Sequence, residues 1–176
     1  MKIGKIRRQI EEVLDIYRKR LDTIPDDLFA ETPPGGGWSY AEVYSHIISA
    51  DISSSIAVEK CTLSSCVPTS KGRSLVGLFV FSFGRLPPVK VKVPKEVTAT
   101  TPVKKITREE AKNLIVKCRK RIETVAPLIH GSSPKCRIKH PRLGMLNARQ
   151  WFKFILIHTK HHLKQLDRIE KKFSTA

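Results

Sequence analysis

Four stretches of this chain repeat apolar residues at three- and four-residue intervals, and three of them open on a helix-capping sequence. That period commits each stretch to a helix with one face to bury. In the first stretch, Ile3, Ile6, Ile10, Val13, Leu14, Tyr17, Leu21 and Ile24 form the stripe, and Pro25-Asp26-Asp27 ends it. Thr32 to Gly37 then reads as a loop. The second stretch begins at Ser39, which forms a capping box with Glu42, while Trp38 and Val43 occupy the positions of a hydrophobic staple. Its inward stripe is Val43, His46, Ile47 and Ala50, and it fades near Lys60. The third starts at the Thr107–Glu110 box and turns Ala111, Leu114, Ile115, Cys118, Ile122 and Val125 inward. The last opens at Asn147, with Gln150 three residues on.

Four such helices joined by one long middle connection predict an all-α fold, an up-down four-helix bundle, with a long basic excursion between the second and third helices. At 176 residues the expectation is a single domain spanning 1–176. The middle is less legible. Ser74 to Phe83 reads equally as a short buried helix or a strand. Pro87, Pro88, Pro94 and Pro102, with alternating Val and Lys, predict an extended basic surface segment. His130, Gly131, Pro134, His140, Pro141 and Gly144 mark a basic loop before the last helix.

The formal net charge is +17, and it is uneven. Residues 71–121 hold fourteen Lys/Arg against three acids, and 122–176 hold eleven against three. Such a field attracts anions, nucleic acid or an acidic membrane surface. The plainer reading is a solvated surface on a basic protein. The N-terminus lacks an apolar signal core, and the longest apolar run, Leu75 to Phe83, is far short of a membrane span. The chain is therefore expected to be cytoplasmic, without a membrane span, and its four cysteines (Cys61, Cys66, Cys118, Cys136) reduced and mostly structural, with a redox or thiolate-metal role for Cys61 and Cys66 as the lesser reading.

The last helix carries the chemistry. His158 and His162 lie one turn apart, on the face shared by Trp151, Phe154, Ile155, Gln165 and Ile169. Two imidazoles in an apolar stripe can be hydrogen-bonded core residues, and HxxxH pairs arise by chance. They can also be ligands on one ion, and His46 is the other histidine predicted to face the core. Thr159 stands where an HExxH protease has its glutamate, so that reading lacks a general base. Asp51, five residues beyond His46, is expected to point elsewhere on its helix. His161 sits at the edge of the stripe, either touching a ligating histidine or the substrate, or as a half-exposed seam residue. His140 is read as shaping the loop and His130 as a surface residue.

Two blocks of this sequence resemble the DinB-like superfamily of metal-binding four-helix bundles. The first is GGWSYAEVYSHIISAD, carrying Trp38, Ser39, Glu42 and His46. The second is HPRLGMLNARQWFKFILIHTKHHLKQLDRI, carrying His140, Pro141, Gly144, Trp151, His158, His161, His162 and Gln165. The resemblance covers most of residues 1–60 and 107–172 and leaves the basic middle unmatched. It implies a divalent metal held by His46, His158 and His162, with zinc and nickel leading among the ions that suit imidazole. It also implies a place for His161 and Gln165 beside metal or substrate. Some members of the superfamily transfer a low-molecular-weight thiol to an electrophile, and others are labelled hydrolases.

Three functions follow. The first is a metal-dependent enzyme of the thiol S-transferase or hydrolase type, in which the metal activates a thiol or water for attack on a small electrophile. Its partner is a small-molecule substrate, an anionic thiol in particular. The second is a non-catalytic metal- or ligand-binding bundle, or a nucleic-acid-associated module using Lys71, Arg73, Arg85, Lys90, Lys92 and Lys95. Nucleic acid is disfavoured, because Phe79, Phe81 and Phe83 are expected to be buried rather than stacked on bases. The third is a purely structural bundle. Oligomeric state is open, with a homodimer as one option.

Overall fold

The computed structural model describes residues 2–63, 66, 68–87 and 103–175. In chain order the elements are α1 (Ile3–Thr23), α2 (Asp26–Phe29), α3 (Tyr40–Thr62), α4 (Leu75–Phe83) and α5 (Arg108–Val125). A 3₁₀ turn (Pro127–Gly131), β1 (Arg137–His140), β2 (Gly144–Asn147) and α6 (Ala148–Ser174) complete them.

The three capping boxes are formed by the residue pairs the sequence predicts, Ser39 with Glu42, Thr107 with Glu110 and Asn147 with Gln150. Each satisfies two backbone N–H groups that a helix start leaves without partners, for roughly 1 kcal/mol. The α1 stripe from Ile3 to Leu21 is buried throughout.

The four long helices form the expected four-helix bundle. Among the described residues, the substantial helix contacts are α3 with α6, α3 with α5, α1 with α6 and α1 with α5. Ties between them give the directions. Tyr17 and Arg20 meet Thr159 and Asp167, so α1 and α6 run the same way. Asp51 and Cys61 meet His158 and Leu146, so α3 and α6 are opposed. Ser45 and Glu59 meet Lys104 and Arg121, so α3 and α5 run the same way. Helices α3 and α5 therefore begin at the same end of the bundle. The 23-residue α3 is about 34 Å long at 1.5 Å per residue.

Three features differ from the sequence reading, and one that it left open is resolved. The loop before α6 contains an antiparallel hairpin, β1 paired with β2 from Arg137↔Asn147 to His140↔Gly144. Ser74 to Phe83 resolves as a helix, N-capped by Ser74 and ended by Gly84 in the left-handed region at φ 64°. Phe81 is buried, but Phe79 and Phe83 are 38% and 62% exposed, against the expectation of burial for all three. This helix carries apolar residues on both faces, and only one face meets the protein. Finally, Cys66 and Cys136 are joined in a disulfide across 70 residues, while Cys61 and Cys118 are free and buried.

Lys90, Lys92, Lys95, Pro88, Pro94 and Pro102 lie outside the described residues. No described helix is long and apolar enough to cross a membrane.

Candidate metal centre

The cap at Ser39 fixes where α3 starts, and His46 follows two turns in. His158 and His162 present from α6 across the α3–α6 contact. The ring centroids of His46 lie 5.4 Å from His158 and 5.1 Å from His162, and those of His158 and His162 are 4.6 Å apart. One ligand atom from each of the three lies within 4.8 Å of the others. Nitrogens sharing one tetrahedral ion at about 2.1 Å sit roughly 3.4 Å apart, so modest ring rotation spans the difference.

All three rings are neutral at pH 7. Burial, followed by the charge of His158, pushes His46 down to about 3, and burial pushes His158 down to about 4. Burial first, then His158 and His46, holds His162 well below the ordinary imidazole range. Neutral imidazole is the form that binds metal.

The outer nitrogens are both engaged. His158 Nδ1 is 3.0 Å from Asp51 Oδ1, and His162 Nδ1 is 2.7 Å from Gln165 Oε1. An amide oxygen can only accept, so His162 carries its proton on Nδ1 and offers the Nε2 lone pair. Asp51 is fully buried, and desolvation pushes its carboxyl well above the usual range. Its Oδ2 is also buried and has no hydrogen-bond partner among the described residues.

This position of Asp51 corrects the expectation that it points away from the site. Helix α3 contacts both α5 and α6, so the direction of His46 is not its sole buried direction. One sequence signal was present. Asp51 is the lone acid between Glu42 and Glu59, in a run otherwise of Ser, Ala, aliphatic residues, Tyr44 and His46.

The remaining candidates fall around this group. Trp38 packs on His46 with ring centroids 5.0 Å apart. His161 is half-buried, its ring 5.2 Å from that of His162, outside the cluster of three. Burial lowers His161, with smaller contributions from His158, Arg168 and Lys164, so cationic side chains stand near this edge. His140 Nδ1 accepts from the backbone N–H groups of Arg142 and Leu143, each at 3.2 Å, and so shapes the hairpin turn. Its ring packs against Phe154, whose own ring lies 5.4 Å from His158. His130 is exposed. Thr159 is buried and donates to Ile155 and Leu156 carbonyls of its own helix.

The sequence model of the DinB superfamily matches residues 9–166. The chain belongs to the DinB superfamily. Among solved structures, this DinB chain is similar to that of TT2238, described as a four-helix bundle protein, at 15% identity and a TM-score of 0.61. The match covers 95% of this chain and 99% of that one. At that identity it shows the fold alone. No curated protein sequence matches this DinB chain.

Proposed function

We propose that this DinB chain is a single-domain metal-dependent enzyme that transfers a thiol, or water, to a small electrophile. The observation that carries the metal site is the pair of outer hydrogen bonds. Gln165 and Asp51 engage the Nδ1 atoms of His162 and His158, which leaves their Nε2 atoms to meet His46. Ligating histidines characteristically bond outward in this way, to a carboxylate or carbonyl. The unpartnered Asp51 Oδ2 fits the same reading. A buried carboxylate needs compensating charge, and a divalent ion one imidazole away provides it.

A divalent cation bound there acts as a Lewis acid and lowers the pKa of a thiol or water. The protein's own residues set the rest. With an ion on His158 Nε2, the Nδ1–H would donate to Asp51, which would fix the tautomer; fully buried, Asp51 is a positioning residue and not a proton acceptor for substrate. Gln165 does the same for His162. Thr159, tied to its own helix, is no general base. Neither Asp51 nor Thr159 can take a proton from a bound water, which favours a thiol, because thiols ionise more readily. Lys164 and Arg168, near His161, favour an anionic thiol at that edge. In the transfer, the thiolate sulfur forms a bond to the electrophilic carbon, the leaving group departs with its bonding pair, and the thiol proton goes to solvent.

Elemental analysis of protein purified without a metal-binding tag tests the site. About one divalent ion per chain is expected, with loss of that ion in His158→Ala. Turnover is tested with a carboxylate-bearing thiol and an aryl halide electrophile. Product formation should require the metal and fall in the same variant. Metal-free protein as purified, or His158→Ala with unchanged metal content, removes the site; stoichiometric metal without turnover leaves a binding protein.

A further inference from the structure

Helix α4, LVGLFVFSF, is apolar on both faces apart from the exposed Ser82, and only half of it is covered. Gly77, Val80 and Phe81 face inward and are buried. Leu75, Val76, Leu78, Phe79 and Phe83 face outward, with Leu75 85% and Phe83 62% exposed. At 100° per residue these sets fall on opposite sides of the helix. Apolar side chains on both faces of a helix favour apolar surroundings on both sides, and clustered exposed residues of this kind mark an interaction surface.

The inner face is firmly seated. A Cβ at Gly77 would lie 2.2 Å from the Leu143 carbonyl oxygen, so glycine is what lets α4 approach the hairpin turn. Ser74 N–H donates to Leu143 O at 2.9 Å, and its hydroxyl donates to Arg142 O at 2.7 Å. Lys153 Nζ donates to Phe81 O at 2.9 Å. The outward residues are thus held out by a fixed frame.

The frame is basic. Residues 60–87 contain four Lys/Arg and no acid, and residues 124–166 contain eight and no acid. The cationic groups of Arg73 and Lys153 border α4 directly, each over the Phe81 ring. Two copies meeting through this face would bring like charges together. A nucleic acid would satisfy the cations and leave the aliphatic side chains in water. An anionic bilayer satisfies both, with acyl chains against the apolar helix and headgroups against its basic rim.

We propose that α4 docks this protein onto anionic lipid bilayers, with Leu75, Phe79 and Phe83 inserted to shallow depth. The probe is vesicle sedimentation with phosphatidylcholine alone and with about one-third phosphatidylserine added. Binding to the anionic vesicles should exceed binding to neutral ones at least about tenfold and weaken with salt. Phe79→Ser/Phe83→Ser should lower it at least about tenfold with an unchanged melting temperature. A Phe83→Trp variant should shift its emission to the blue on anionic vesicles. Equal binding to both vesicle types, or full binding by the double Ser variant, overturns the proposal. So does self-association that the double Ser variant abolishes without any vesicle binding, which assigns the face to a second copy. Binding to duplex DNA that matches vesicle binding and survives the Ser substitutions also overturns it.

Discussion

Asp51 Oδ1 lies 3.0 Å from His158 Nδ1, across the α3–α6 contact and 107 residues away in the chain. The pair links the deepest carboxylate to one of the three clustered histidines. Replacing Asp51 by Asn keeps the size but offers an amide N–H that can favour the wrong imidazole tautomer. Metal affinity should fall about 10–100-fold, as for other outer partners of ligating histidines, while the fold persists. Competition against a chelator of known affinity measures this, and an unchanged affinity would separate Asp51 from the site.

Acid should destabilise the metal-free protein by a definite route. His46 and His158 are lowered to about 3 and about 4 in the fold, against about 6.5 unfolded. The folded state therefore binds fewer protons below the unfolded value. Stability is full above about pH 7 and declines as pH falls through 6.5, by up to about 1.4 kcal/mol per pH unit for each histidine. Asp51 is raised and has the opposite sign, so the Asp51–His158 pair contributes less than a lone histidine. Denaturant melts from pH 7.5 to 5 read the slope. A flat profile contradicts the burial of these rings.

Chelation should lower the melting temperature of the native protein and leave His158→Ala unmoved. At a hundredfold excess of metal over its dissociation constant the difference is about 2.7 kcal/mol. Calorimetry with and without chelator decides it, and equal shifts in both proteins count against the histidine site.

Gly77→Ala should loosen α4 from the hairpin turn. The new methyl meets the Leu143 carbonyl at 2.2 Å, well inside van der Waals contact, and overpacking of this kind costs about 1–3 kcal/mol. Hydrogen exchange at Leu143 and Ser74 should accelerate locally. Wild-type protection at both amides would show that the turn accommodates the methyl.

Under non-reducing conditions, denatured protein should show two free thiols, Cys61 and Cys118, and four after reduction. Closing a loop of this length stabilises by roughly 2–4 kcal/mol, so reductant should lower the melting temperature of wild type but not of Cys66→Ser. Four thiols before reduction would restore the expectation of reduced cysteines.

Much of this was legible in the sequence because helices announce themselves locally. Ser39, Thr107 and Asn147 set the helix starts, and the 3.6 period then carried His46, His158 and His162 to inward positions. Asp51 was not legible for the same reason. A period gives one favoured face, and α3 has neighbours on two. The outward half of α4 was hidden by composition, since a run of Phe, Val and Leu reads as core whichever way it faces. The β1–β2 hairpin was masked by its charges, with Ile138 and Leu146 too few to show alternation. The Cys66–Cys136 link spans 70 residues, and no local pattern reports such a pairing.

The α3–α6 contact also fixes when the histidine group can exist. An unfolded or half-folded chain offers only His158 and His162, neighbours on one nascent helix. His46 and Asp51 join them only when α3 packs on α6, a contact between residues more than a hundred apart in the chain. Occupancy by an ion would therefore be a certificate of completed tertiary structure, and apo-chains in a cell would be those that had folded and gone unserved, not those still folding.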